Sequence, residues 1–210
     1  MQEDIFTLMV SDKESDFQKK VAELEMEMMV DFVEEFKDTP FVGWLIKLGK
    51  IGVGFLDFHF MQKISKFLSK SCDIPLEQKE KFLNSLTQRK RKKIYEYLVH
   101  FLYAAESVEK AELMGIVFRE RLLDHIDDDL FLRLCSVIHK SHVDDLRNLG
   151  LYLEPSNELN YITDNLNSYG LLTVDLDQRV ENGGYSIRTK YQLNSIGRSL
   201  CDILKAANWM

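Results

Sequence analysis

Apolar side chains recur every three to four residues over most of this chain, the spacing of amphipathic helices. Between residues 12 and 37, Phe17, Val21, Leu24, Met28, Phe32 and Phe36 follow it. Asp38-Thr39-Pro40 ends that helix and opens another, because Thr39 can cap and Pro40 suits a first helical position. Residues 41–68 are densely apolar. Gly49, Gly52 and Gly54 divide them into two pieces, since each glycine costs a helix about 1 kcal/mol relative to alanine. A further helix runs from Asp73-Ile74-Pro75 to about residue 86. The basic run Arg89-Lys90-Arg91-Lys92-Lys93 then leads into a periodic helix with Ile94, Leu98 and Leu102 in one stripe and Tyr95 and Val99 beside it. Ser107 reads as the N-cap of a helix carrying Met114, Val117, Phe118 and Leu122. Asp127-Asp128-Asp129 starts the next, through about residue 139, because acids suit the positive end of a helix dipole. A short helix is expected over residues 143–149.

The period changes near the end. Residues 159–172 read as a helix running into a strand, and Gly183-Gly184 as a tight turn. Tyr185, Ile187, Thr189, Tyr191 and Leu193 then alternate along one strand face, and Gly197-Arg198-Ser199-Leu200 lies in a final helix. The expected fold class is therefore mainly α: a helical bundle over residues 1–140, followed by a C-terminal module over 141–210 with a two-stranded β-hairpin. No Gly/Ser/Pro linker separates the two parts, so they are expected to share a core.

Two stretches carry a family resemblance. Tyr191-Gln192-Leu193-Asn194-Ser195-Ile196-Gly197-Arg198-Ser199-Leu200 resembles the winged-helix ending in which the wing's second strand enters a last helix. Tyr169-Gly170-Leu171-Leu172 resembles the turn joining the recognition helix to the wing's first strand, and Gly170 can end a helix in a left-handed turn. The resemblance covers about residues 141–204. It implies a recognition helix over 156–168 and, in the usual use of that domain, DNA binding. A weaker resemblance, through Glu109-Lys110-Ala111-Glu112-Leu113-Met114-Gly115 and Leu130-Phe131-Leu132-Arg133-Leu134, is to bacterial helical proteins and implies no activity.

Charge changes this picture. The net charge of −7 conceals −8 over residues 1–39, +8 over 40–93 and −7 over 94–210. No Lys or Arg occurs from Asn148 to Gln178, while Glu154, Glu158, Asp164, Asp175 and Asp177 are acidic. Affinity for nucleic acid comes mainly from neutralised phosphates, so a recognition helix in this stretch would repel a duplex. Arg179, Arg188 and Lys190 on the hairpin, with Arg198 beyond it, are the nucleic-acid contacts left to this module.

The basic region admits other readings. Trp44, Phe55 and Phe58 with Lys47 and Lys50 make residues 41–70 a basic amphipathic segment of the kind that binds anionic membrane surfaces. The acidic first 39 residues could cover it as a latch. Base rates favour core for such aromatics and solvent for such lysines. The basic run could also bind RNA or DNA, but Tyr95, Tyr97 and Phe101 beside it are expected in the core rather than as stacking platforms, and the run itself as a solvated helix face.

Catalytic and metal signals are weak. Three cysteines, Cys72, Cys135 and Cys201, are odd in number and far apart, which fits a reducing compartment with no disulfide framework. Acidic Glu3 and Asp4 with no apolar run after them predict no secretory signal, and charges interrupt every long apolar stretch, so no spanning helix is expected. His139 and His142 near Asp144 and Asp145 hold metal-like spacing, but Ser141 starts a new helix between the two histidines. Asp127-Asp128-Asp129 lacks the ligand spacing of a calcium loop, and Gly52 with Gly54 lacks a nucleotide-binding fingerprint. Cys135 and His139, four apart, read as buried packing. The sequence thus predicts no catalytic residue, metal or cofactor.

The leading expectation is a bacterial-type cytosolic adaptor or regulatory protein acting through protein–protein contacts. Glu158 and Asp164 form one candidate surface, and Arg89, Lys90, Arg91, Lys92 and Lys93 another. A membrane-associating effector and a DNA-binding regulator are the alternatives, and the oligomeric state stays open.

Overall fold

The computed structural model describes residues 58–71, 73–181 and 184–210, with the side chains of Phe58, Met61, Leu76 and residues 177–187 outside that description. The chain divides into two units between Met61 and Gln62. Almost every described residue belongs to the second. The expected helices over 12–37 and the first part of 41–68 lie outside the described residues.

Among the described residues the protein is mainly helical, with eight α-helices and one two-stranded antiparallel sheet. The helices are α1 (Phe58–Ser69), α2 (Leu76–Ser85), α3 (Gln88–Ala104), α4 (Val108–Leu122), α5 (Asp128–Lys140), α6 (Val143–Leu146), α7 (Tyr161–Ser168) and α8 (Ser195–Ala206). A 3-10 turn, Leu149–Tyr152, follows α6, and strands β1 (Leu172–Glu181) and β2 (Gly184–Leu193) separate α7 from α8.

The expected caps set several boundaries. Ser107 accepts from the Lys110 N–H at 3.2 Å and Asp127 from the Leu130 N–H at 2.8 Å, each satisfying a donor that the first helical turn leaves unpaired. Thr87 and Asn194 do the same for α3 and α8. Helix α4 is the centre of the core. Ala111, Leu113, Met114, Ile116, Val117, Phe118 and Leu122 are all buried, so the middle of this helix is enclosed on nearly every side. Around Phe118 three rings gather: Phe67 of α1 stacks at 5.0 Å, Phe82 of α2 meets it edge-on at 6.0 Å, and Phe131 of α5 tilts against it at 5.7 Å. Helix α8 packs on both α4 and α5, so the end of the chain and the middle share one core.

The hairpin is regular. Leu172 pairs with Leu193, and the register continues unbroken to Glu181 opposite Gly184. Side chains alternate between faces, so Leu172, Val174 and Leu176 share one face with Leu193, Tyr191 and Thr189. In this register Asp175 stands opposite Lys190 and Asp177 opposite Arg188.

Helix α7 is shorter than expected. It starts at Tyr161, capped by Asn160, and not near residue 156. Ser156 is instead held in extended pairing with Tyr191, through N–H to C=O bonds of 2.9 and 2.8 Å in both directions. The helix ends in a Schellman motif. Gly170 takes a φ of +75°, its N–H bonds the Asn167 carbonyl, and the Leu171 N–H bonds the Leu166 carbonyl.

Candidate contact surfaces

Two sets of buried polar groups hold α7 in place. Asp145 of α6 is 4% exposed, and its Oδ2 accepts from the Asn165 amide at 3.0 Å and the Tyr169 hydroxyl at 3.1 Å. The same hydroxyl accepts from the His142 N–H at 3.4 Å. On the helix's other side Thr163 and Tyr152, both buried, share a hydroxyl hydrogen bond of 2.7 Å, and the Thr163 Oγ1 also donates to the Glu158 carbonyl at 2.9 Å. A buried carboxylate must be hydrogen-bonded to be tolerable. These bonds therefore fix α7 against α6 and the 3-10 turn.

The exposed residues on and around α7 are acidic and partly apolar. Glu158 and Asp164 are exposed, as the sequence predicts for a contact surface, together with Glu154 and Asp175. Large apolar side chains are exposed too: Leu159 at 71% exposure, Tyr161 at 73% and Leu176 at 58%, with Leu151 and Val174. These apolar residues were not anticipated. Their only sequence signal is that Leu159 and Tyr161 flank the capping Asn160 in a stretch without cations.

The basic run lies inside α3, and not in a lead-in to it: the helix starts at Gln88. Arg89, Lys90, Lys92 and Lys93 are exposed. Arg91 turns inward instead and donates to the Leu83 carbonyl, so it leaves the candidate surface. Lys90 approaches Asp128 at 3.7 Å and Lys92 approaches Glu96 at 3.7 Å. Tyr95 and Phe101 are buried as expected, but Tyr97 is 44% exposed, with the Lys93 ammonium 5.8 Å from its ring centre. Residues two apart on a helix face different ways, and Tyr95 takes the core side.

The remaining candidates are dispersed. Trp44, Lys47, Lys50 and Phe55 lie outside the described residues, as does the side chain of Phe58, the first residue of α1. Farther along that segment, Ile64, Phe67 and Leu68 are buried core. No described helix is long and apolar enough to cross a membrane. Arg188 and Lys190 stand in the ladder opposite Asp177 and Asp175, and Arg179 opposite Ser186. Opposite charges directly across a strand pair, as at Asp175 and Lys190, attract one another, which opposes the use of Lys190 for phosphate.

Two buried cations escaped sequence reasoning. Lys110, 3% exposed, donates to Glu106 at 3.0 Å and to the His139 carbonyl at 2.9 Å. Arg121, 8% exposed, bonds Asp128 at 2.7 Å and Asp124 at 2.8 Å and lies over the Phe82 ring at 4.8 Å. Their signal was local: Glu106 stands four residues before Lys110 and Asp124 three after Arg121. Both bridge helices. Among the described residues no group of three or more His, Cys, Asp or Glu is arranged to hold a metal. Burial raises the Cys135 thiol far above its ordinary range, so it stays protonated and is a poor nucleophile.

His139 has a measurable consequence. Burial, then the neighbouring Lys110 and His100, hold its pKa below the ordinary 6.5, while Glu106 pulls weakly the other way. Its Nδ1 is buried without a hydrogen-bond partner. The folded state thus favours neutral His139, and the unfolded chain binds more protons between that lowered value and 6.5. This contribution to stability is present above pH 6.5 and is lost as the pH falls through that window. The thermal midpoint is expected to drop between pH 7 and 5.5, and to drop less in His139→Leu. Equal drops in both proteins would remove His139 from the account. A separate loss is expected at lower pH, where hydrogen bonds to Arg119, Lys110 and Arg121 depress Asp73, Glu106 and Asp124.

No family model, curated protein or solved structure matches this chain.

Proposed function

We propose that this protein is an adaptor or regulatory protein that works through protein–protein contacts, with its C-terminal module as the docking surface. One observation carries the reading. Leu159, just before α7, and Tyr161, its first residue, are exposed beside Glu158 and Asp164, on a scaffold fixed by the Asp145 and Thr163 hydrogen bonds, and Leu176 of neighbouring β1 is exposed as well. Single exposed apolar residues are ordinary on a protein surface, whereas several on neighbouring elements with a charged surround resemble an interaction site. The partner surface would be apolar with a basic rim. The module is read here as winged-helix-like. Support comes from the order α7, β1, β2, α8 and from the pairing of Ser156 with Tyr191 beside the hairpin. In this use the helix that would enter a DNA groove presents acids to a protein.

A photo-crosslinking residue placed at Leu159 in cells tests this. A discrete adduct is expected, and it should disappear when Glu158→Lys and Asp164→Lys are combined. Both acids are exposed, so the fold should be unaffected, which a melting curve checks. Crosslinks that are absent, or indifferent to the reversal, would overturn the proposal.

A further inference from the structure

The outer face of α3 combines charge and rings in a way that its role in the core does not require. Arg89, Lys92, Lys93, Tyr97, His100 and Tyr103 are all exposed. At about 1.5 Å of rise per residue, they span roughly 21 Å. The inner face, Ile94, Tyr95, Leu98, Phe101 and Leu102, is buried.

The cations are also costly where they stand. The first turn of α3 holds no acid, and the dipole already makes that end of a helix positive. Arg89 meets like charges three and four residues on, at Lys92 and Lys93, which is unfavourable. Arg89 and Lys93 have no ion-pair partner among the described residues. Positive charge continues toward the other end. The Lys63 ammonium donates to the Tyr103 carbonyl at 3.2 Å. The face therefore carries Arg89 and Lys93, the pair of Lys92 with exposed Glu96 between them, and the exposed phenol ring of Tyr97.

We propose that this face of α3 binds single-stranded nucleic acid, with phosphates on Arg89 and Lys93 and a base stacked on Tyr97. Single strands are held by this pairing of positive charge with aromatic platforms, because every base offers a π face. A duplex keeps its bases stacked on one another and could not use the ring. A membrane surface needs apolar side chains to insert, and this face offers one tyrosine and no exposed aliphatic group. An acidic peptide would use the cations but leave Tyr97 idle. This site is separate from the α7 docking surface, so either proposal can fail alone.

Fluorescence polarisation of the full chain with labelled 20-nucleotide oligo-U and oligo-dT, over a salt series, tests it. Saturable, salt-sensitive binding to at least one strand is expected, and comparing the two tells RNA from DNA. Each lost phosphate contact lowers the slope of log affinity against log salt by about 0.7, so Arg89→Gln with Lys93→Gln should lower it by about 1.4. Tyr97→Ala should weaken binding roughly 5- to 150-fold with the slope unchanged, and Tyr97→Phe should restore it. Three results would overturn the proposal: no saturable binding to either oligonucleotide, equal affinity of wild type and Tyr97→Ala, or equal competition by polyglutamate or phosphatidylglycerol vesicles.

Discussion

Gly197→Ala is expected to cost the protein about 3 kcal/mol, near the upper end for overpacking a close-packed site. A methyl group at this position would lie closer than 3.0 Å to the Leu171 carbonyl oxygen, an approach that real Cβ atoms do not make, and 3.0 Å from Leu193 Cδ2. The carbonyl cannot swing aside, because it accepts from the Asn194 N–H at 3.0 Å. Asn194 in turn caps α8 by accepting from the Gly197 N–H at 2.9 Å. The methyl would therefore push α8 away from the turn, and with it the seat of that helix on α4 and α5. Alanine's better helix propensity returns only about 1 kcal/mol. For a chain of this length each kcal/mol moves the melting midpoint by roughly 2–4 °C, so a fall of about 6–12 °C is expected by calorimetry. An unchanged midpoint would mean that α8 does not press on the Leu171 turn.

Phe118→Ala should cost as much or more, about 3–5 kcal/mol. The ring is 2% exposed and touches the rings of Phe67, Phe82 and Phe131, one from each of three other helices. Removing it leaves a cavity that none of the three can fill without losing its own contacts. In urea the midpoint should fall with the slope unchanged, since the same surface is exposed on unfolding. Leu159→Ala, at a site 71% exposed, should move stability by no more than about 0.5 kcal/mol. A small effect at Phe118 would show that α1, α2 and α5 do not meet at this ring.

The contrast between these positions shows which features the sequence makes legible. Helix starts at Ser107 and Asp127 are local events, decided by a side chain and a backbone N–H three residues on. The alternation from Tyr185 to Leu193 is equally local and matches the register. The start of α7 is different. Residues 156–160 have helix-compatible composition, but Ser156 pairs with Tyr191, 35 positions away, and no local pattern reports that bond. The candidate surfaces divide in the same way. Exposure of Glu158, Asp164 and four of the five basic residues follows from charge alone. The inward turn of Arg91, the burial of Lys110 and Arg121, and the tie from Asp145 to Asn165 and Tyr169 depend on partners from other elements. Tyr97 could have been placed from sequence, because Tyr95 and Tyr97 cannot share a helix face.

Because α8 closes the core over α4 and α5, synthesis imposes an order on folding. Some 66 residues separate Lys140 from Ala206. At roughly 5–20 residues per second, a ribosome needs about 3–13 s to add them. For that interval the sides of α4 and α5 that α8 will cover stay open on the nascent chain. Cooperative closure waits for α8 to leave the exit tunnel. The window lasts long enough for a chaperone to bind and release, and a release product ending near residue 140 would keep that seam uncovered.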